Sequence, residues 1–230
     1  PSMTDFSCRD IAQMIDHALL APTLTADELQ AGCEVALQHQ VASVCTMPFH
    51  LSECAQALAG SSVCASTTIG FPHGVQTTSI KRAEAEQALL DGGQELDLVI
   101  NPSRALSGDW DYIRAEIAAV LEPTRAAGQK LKVIFEPCYL NQQQKIELCQ
   151  IGNELQVDWI KTSTGFGSAG ATVDDVKLMV SQATGRVEVK ASGGIRDLDS
   201  LLALRAAGAT RIGMSRTADL MQACQQRLGL

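Results

Sequence analysis

The sequence has few aromatic residues, no surplus of basic charge, no paired cysteine motif and no apolar run of membrane length. Each shortage removes a class of function. Two tryptophans, two tyrosines and five phenylalanines among 230 residues leave little material for the stacking platforms that hold single-stranded nucleic acids. A formal net charge of -8 argues against a nucleic-acid partner more directly, because phosphate backbones demand a basic face. No apolar stretch approaches the roughly 20 residues that cross a bilayer. The start, Pro1-Ser2-Met3-Thr4-Asp5, has neither the basic nor the apolar region of a secretory signal; Pro1 and Ser2, ahead of Met3, fit a cloning remnant. The eight cysteines (Cys8, Cys33, Cys45, Cys54, Cys64, Cys138, Cys149 and Cys224) include no CxxC pair, and the four histidines show no HxxxH or HxH spacing. Neither a disulfide frame nor a metal site is expected. The pattern suits reduced thiols in a cytoplasmic protein.

What the sequence does contain is an alternation of short apolar strands and amphipathic helices. Candidate strands rich in Val and Ile cover Met14–Leu20, Val41–Thr46, Ser62–Ile69, Glu95–Ile100, Leu131–Phe135, Val157–Lys161, Val187–Lys190 and Thr210–Ser215. A helix-like start at Arg9 precedes them. Between them, helices are predicted over Ala26–His39 behind a Thr25 cap, His50–Leu58, Thr77–Leu90, Asp111–Ala127 with a kink at Pro123, Gln142–Leu155, Val173–Gln182 behind Thr172, and Leu198–Ala207. A last helix runs from Thr217 towards Arg227. Continuous apolar strands of this kind suit parallel pairing with both faces covered. Strand and helix alternating eight times over this length predicts an α/β fold, a single-domain (β/α)8 TIM barrel spanning residues 1–230. The competing doubly wound sheet lacks support, since no GxGxxG loop follows the first strand.

In such a barrel the C-terminal strand ends face the active site. Read in order they carry Asp16, Cys45, Asp97, Lys132, Lys161 and Lys190. Charged side chains are almost never buried without partners, so this many ionisable groups exceeds what packing alone requires. Lys161 follows Trp159 and Ile160 on its strand, where partial desolvation disfavours the ammonium. Lys190 ends the neighbouring strand, and a second positive charge lowers the first lysine's pKa further, the usual route to a nucleophilic amine. Asp97 offers a proton acceptor and donor across the barrel mouth. The plain alternative is that each lysine stays charged and paired. The loops add Thr162-Ser163-Thr164-Gly165 after strand six, Ser192-Gly193-Gly194 after strand seven and Gly213-Met214-Ser215 after strand eight. Backbone amides at such places commonly hold phosphate.

With these residues assembled, the chain resembles the deoxyribose-phosphate aldolases, a class I aldolase family, from about Ile15 to Ser215. The most specific stretches are Ile160-Lys161-Thr162-Ser163-Thr164-Gly165 and Lys190-Ala191-Ser192-Gly193-Gly194-Ile195-Arg196; weaker ones are Ile15-Asp16-His17, Val44-Cys45, Ile69 to Gly74, Glu95-Leu96-Asp97 and Lys132-Val133-Ile134. The resemblance implies a lyase that reversibly cleaves 2-deoxy-D-ribose 5-phosphate to D-glyceraldehyde 3-phosphate and acetaldehyde in deoxyribonucleoside catabolism, with no metal or other cofactor. By it, Lys161 forms the Schiff base and Lys190 and Asp97 transfer protons. Gly165, Gly193, Gly194, Gly213 and Ser215 hold the phosphate, and Asp16, Lys132 and Cys45 support the mouth of the barrel. The partners it implies are a small phosphorylated sugar and a short aldehyde. Three departures stand out: Ala18 where many relatives carry threonine, Phe166 where some carry a phosphate-contacting lysine, and an end at Leu228-Gly229-Leu230 without the C-terminal tyrosine some members use.

Two alternatives remain at this stage. One is a Schiff-base lyase acting on another phosphorylated sugar, which Ala18 and Phe166 keep open. The other is a barrel that binds a sugar phosphate without chemistry. The apolar outer faces of the helices allow a homodimer.

Overall fold

In a computed structural model, described for residues 6–229, eight parallel strands close into a barrel in sequence order. They are β1 Ile15–Leu19, β2 Ser43–Thr46, β3 Cys64–Ile69, β4 Glu95–Val99, β5 Lys130–Ile134, β6 Trp159–Lys161, β7 Glu188–Ser192 and β8 Arg211–Met214. The outer helices are α1 Cys8–Ala12, α2 Ala26–His39, α3 Leu51–Ala57, α4 Thr78–Leu90, α5 Pro102–Leu106, α6 Trp110–Ala126, α7 Gln142–Leu155, α8 Val173–Gln182, α9 Leu198–Ala206 and α10 Thr217–Leu228. The expected TIM barrel is therefore present. Pro1 and Ser2, expected from sequence to be a cloning remnant, lie outside the described residues, as do residues 3–5 and Leu230.

Local chemistry accounts for most boundaries. Thr25 forms a capping box with Glu28 at the start of α2, satisfying amides that the first helical turn leaves free. Thr172 accepts from the Asp175 N–H at the start of α8. α6 continues through Pro123 to its end at Ala126. The Asn101-Pro102 pair, which ends the apolar run Glu95–Ile100, opens the short α5. Asn101 caps it and Pro102 occupies its first turn, where a missing N–H costs nothing. β7 also runs two residues further than expected, so Ala191 and Ser192 belong to the strand.

Alternation along each strand divides the molecule. Leu96, Leu98, Leu131, Val133, Ile160, Val189 and Ile212 point outward and are fully or almost fully buried beneath helical residues such as Leu51, Ile113, Val120, Leu148, Met179 and Leu201. The main apolar core is thus the shell between sheet and helices. The barrel interior is polar.

Strand registers fix the vertical order inside. Across the paired residues, each strand must be read about one residue further along to stay level, as the stagger of this fold requires. Inward side chains therefore fall into layers drawn from alternate strands. Ser43, Glu95, Trp159 and Arg211 lie lowest, followed by Asp16, Ser66, Lys132 and Lys190. Above them come Cys45, Asp97, Lys161 and Gly213, and then Ala18, Thr68, Ile134 and Ser192.

Candidate active site

A cavity of about 520 Å3 opens at the C-terminal end of the barrel. Asp16, Cys45, Lys161 and Lys190 line its depth, while Thr164, Gly165 and Phe166 after β6, Ser192 to Arg196 after β7, and Gly213 to Arg216 after β8 line its walls. The residues singled out from sequence are largely brought together here. Two do not reach the cavity. Asp97 and Lys132 are absent from the cavity wall and fully buried, although Asp97 is level with Cys45 and Lys161, and Lys132 with Asp16 and Lys190, which do reach the cavity. Lys132 supports the site from within the barrel rather than from the mouth, and Asp97 meets Lys161, Lys190 and Lys132 there.

The buried groups form one network. Asp97 accepts from Lys161 Nζ and Lys190 Nζ through Oδ2, each at 2.7 Å, and from Lys132 Nζ through Oδ1 at 2.9 Å. Asp16 accepts from Lys190 Nζ at 2.5 Å and from Arg211 Nη1 and Ser43 Oγ at 2.7 Å. Glu95 lies 2.6 Å from Lys132 Nζ and 2.7 Å from Arg211 Nη1. Four cationic side chains therefore face three carboxylates. One positive charge is in excess, and a dry interior tolerates uncompensated charge poorly.

The distribution of contacts decides which lysine yields. Lys132 contacts three carboxylates, Lys190 two and Lys161 only Asp97. Burial disfavours the ammonium of all three. For Lys132 the carboxylates of Asp16, Asp97 and Glu95 overcome it and hold the amine well above the usual lysine range. For Lys190 the carboxylates of Asp16 and Asp97 do the same. For Lys161 burial prevails; Asp97 opposes it, Lys190 adds to it, and the amine is pushed below the usual range. Burial works to raise both aspartates, yet the surrounding cations hold Asp97 and Asp16 below ordinary carboxylate values. An amine whose charged form is disfavoured thus sits at the cavity floor beside a carboxylate held low and an ammonium held high. That is the set required to form an imine and move protons around it.

Other predicted residues are placed by the backbone. Gly193 has φ +88 and packs so closely that an added Cβ would lie 3.0 Å from Gly170 Cα. A Cβ at Gly213 would lie 2.9 Å from that of Ser192 and 3.2 Å from Lys190 Cε, so its bare backbone admits the lysine. Cys45 lines the cavity but is almost fully buried, and burial, aided by Asp97, pushes its thiol up. It is held as thiol, the less nucleophilic form. The neighbouring Asp16 and His17 face opposite ways. Asp16 enters the network, whereas His17 Nδ1 lies 2.8 Å from Thr217 Oγ1 and burial lowers its pKa to about 4.

Sequence reading missed Glu95 and Arg211. Glu95 was detectable, since it shares the inward face of β4 with Asp97 at a spacing of two. It also missed Arg196 and Arg216 on the cavity wall, which bring positive charge near Phe166. Among the described residues there is no group of His, Cys, Asp and Glu that could hold a metal ion, and no helix long and apolar enough to cross a membrane.

Comparison with known proteins agrees with this geometry. Residues 11–222 match the family model described as DeoC/LacD family aldolase. A deoxyribose-phosphate aldolase of Rhodopirellula baltica is 56% identical over 228 residues, covering 99% of this chain and 95% of the relative. Among solved structures, the aldolase QR15 superposes with a TM-score of 0.90 at 36% identity, covering 95% of this chain and 97% of that one. The tetrameric deoxyribose phosphate aldolase of Aeropyrum pernix superposes with a TM-score of 0.89 at 26% identity, covering 96% and 93% respectively.

Proposed function

Since this chain belongs to the DeoC/LacD family of aldolases, we propose that it reversibly cleaves 2-deoxy-D-ribose 5-phosphate to D-glyceraldehyde 3-phosphate and acetaldehyde. The observation that carries the reading is Lys161, a buried lysine at a cavity floor with a single carboxylate contact. Its neutral amine attacks the aldehyde carbon of the open-chain sugar, and the resulting carbinolamine loses water to give an iminium. Deprotonation of the C3 hydroxyl then breaks the C2–C3 bond. The electron pair moves into the iminium as an enamine, and C3 leaves as the aldehyde of glyceraldehyde 3-phosphate. Protonation of the enamine carbon and hydrolysis release acetaldehyde and restore Lys161.

Lys190 and Asp97 handle the protons in this reading. Asp97 bonds both amines through one oxygen, so a proton gained by either lysine is shared along a continuous hydrogen-bonded path. Gly165, Gly193, Gly194, Gly213 and Ser215 receive the phosphate through backbone N–H groups and a hydroxyl, with Arg196 and Arg216 adding charge at the wall. Asp16 and Lys132 hold Lys190 and Asp97 in place through ion pairs, and Cys45 contributes shape rather than a nucleophile. Association of copies and a cytoplasmic location belong to the same reading. The Aeropyrum pernix relative is tetrameric, Phe49, Leu90 and Leu106 are exposed, and the cysteines are free thiols.

The test is a reductive trap. Incubation with acetaldehyde and borohydride followed by peptide mass spectrometry is expected to yield one ethyl adduct, on Lys161, that is absent from Lys161→Ala. A folded wild-type protein that forms no adduct rules the mechanism out. Turnover of a panel of sugar phosphates identifies the acceptor.

A further inference from the structure

Glu136 follows β5 and has no part in the charge network, yet it combines three features that rarely coincide. Its backbone is left-handed, with φ +56 and ψ 66, a conformation that L side chains other than Asn and Asp seldom adopt. Its side chain is buried, with 4% of the residue exposed. Among the described residues its carboxylate bonds nothing but Thr164, accepting from the backbone N–H at 3.3 and 3.4 Å and from the hydroxyl in a very short contact. A buried carboxylate satisfied by one neighbour's N–H and O–H is held there by structure, since solvent cannot compensate it.

The contacts continue into the loop after β6. Thr164 Oγ1 accepts from the Phe166 N–H at 3.0 Å. The loop presses so closely on Glu136 that a Cβ at Gly167 would lie 3.0 Å from its carboxyl carbon. The Thr164 and Phe166 amides are therefore both occupied within the protein. Gly165, at φ +88 and on the cavity wall, lies between these two pinned positions.

We propose that Glu136 is a positioning residue for phosphate recognition: by clamping Thr164 it fixes the Thr164–Phe166 turn and presents the Gly165 amide to the substrate's phosphate. The inference rests on the aldolase reading above. Because the clamp acts on the phosphate end, its loss weakens binding of the ester while leaving chemistry at Lys161 intact.

The experiment compares 2-deoxy-D-ribose 5-phosphate with unphosphorylated 2-deoxy-D-ribose in steady-state kinetics of wild type, Glu136→Gln, Thr164→Val and Thr164→Ser. Glu136→Gln and Thr164→Val are expected to raise KM for the phosphate ester by about tenfold or more, the scale of a lost charge-assisted hydrogen bond. Their kcat/KM for the unphosphorylated sugar is expected to stay within about twofold of wild type. Thr164→Ser, which keeps the hydroxyl, restores the low KM. Thr164→Val supplies the test by itself if Glu136→Gln does not fold. A KM for the ester that is unchanged, or an equal loss for both sugars, overturns the proposal. The acetaldehyde trap run on wild type separates the two levels of inference. An absent adduct refutes the aldolase reading, whereas a normal adduct with unchanged KM in the variants refutes only the role of Glu136.

Discussion

Replacing Lys190 by methionine removes the cation nearest to Lys161 and tests whether electrostatics makes Lys161 nucleophilic. Both Nζ atoms bond the same Asp97 oxygen at 2.7 Å, so they lie at most about 5.4 Å apart, twice that bond. At an effective dielectric near 20, two unit charges at this distance repel by about 3 kcal/mol. Both side chains are almost fully buried, so solvent screening reduces the figure little. Burial is the larger cause of the lowered Lys161 pKa and survives the substitution. The repulsion does not survive it, and Asp97, relieved of Lys190, acts on Lys161 alone. Both changes favour the ammonium, and 3 kcal/mol corresponds to roughly a hundredfold less neutral amine at pH 7. The assay is the rate of acetaldehyde adduct formation, by intact mass after reduction, from pH 6 upward. Lys190→Met is expected to trap roughly a hundredfold more slowly at pH 7 and to recover as the pH rises, its profile lying alkaline of wild type. A rate lowered by the same factor at every pH would assign Lys190 to proton transfer alone and refute the electrostatic account.

Two further outcomes follow from individual contacts. Thr68 Oγ1 is buried with no hydrogen-bond partner among the described residues, so Thr68→Val, which keeps the shape and deletes the hydroxyl, is expected to raise stability by about 1 kcal/mol; denaturant unfolding reads it, and a loss of stability contradicts an unpartnered hydroxyl. A Cβ at Gly170 would lie 2.2 Å from the Gly193 carbonyl oxygen, so Gly170→Ala is expected to displace the loop after β7 and raise KM for the phosphate ester by about tenfold without abolishing the acetaldehyde trap.

Much of the fold was legible because its signals are local. Strand six announced itself through Val157 to Ile160 followed by hydroxyl and glycine residues, and α2 through its Thr25 cap. Misreadings occurred where two local signals competed. Asn101-Pro102 reads equally as a strand terminator and as a helix opening, and only the Arg104 N–H donating to Asn101 distinguishes them. Glu136-Pro137 follows the predicted strand Leu131–Phe135 and carries no further local signal. The carboxylate's grip on Thr164 joins residues 28 positions apart and leaves no mark in either segment.

The identity of the ionisable groups was determined by the sequence itself. Lys161 ends β6, whereas Asp16, Asp97 and Lys190 lie within β1, β4 and β7 rather than at their ends; the strand period turns all four inward. How strongly each holds its proton was decided by the tertiary structure, beyond the desolvation that Trp159 and Ile160 suggest for Lys161. Lys132, Lys161 and Lys190 all belong to apolar strands, and the barrel's stagger gives them three, two and one carboxylate neighbours in the order Lys132, Lys190, Lys161. Burial is common to all three, so the number of opposing charges within contact distance decides which amine loses its proton most readily. That number depends on distances between strands far apart in sequence, which no local pattern encodes.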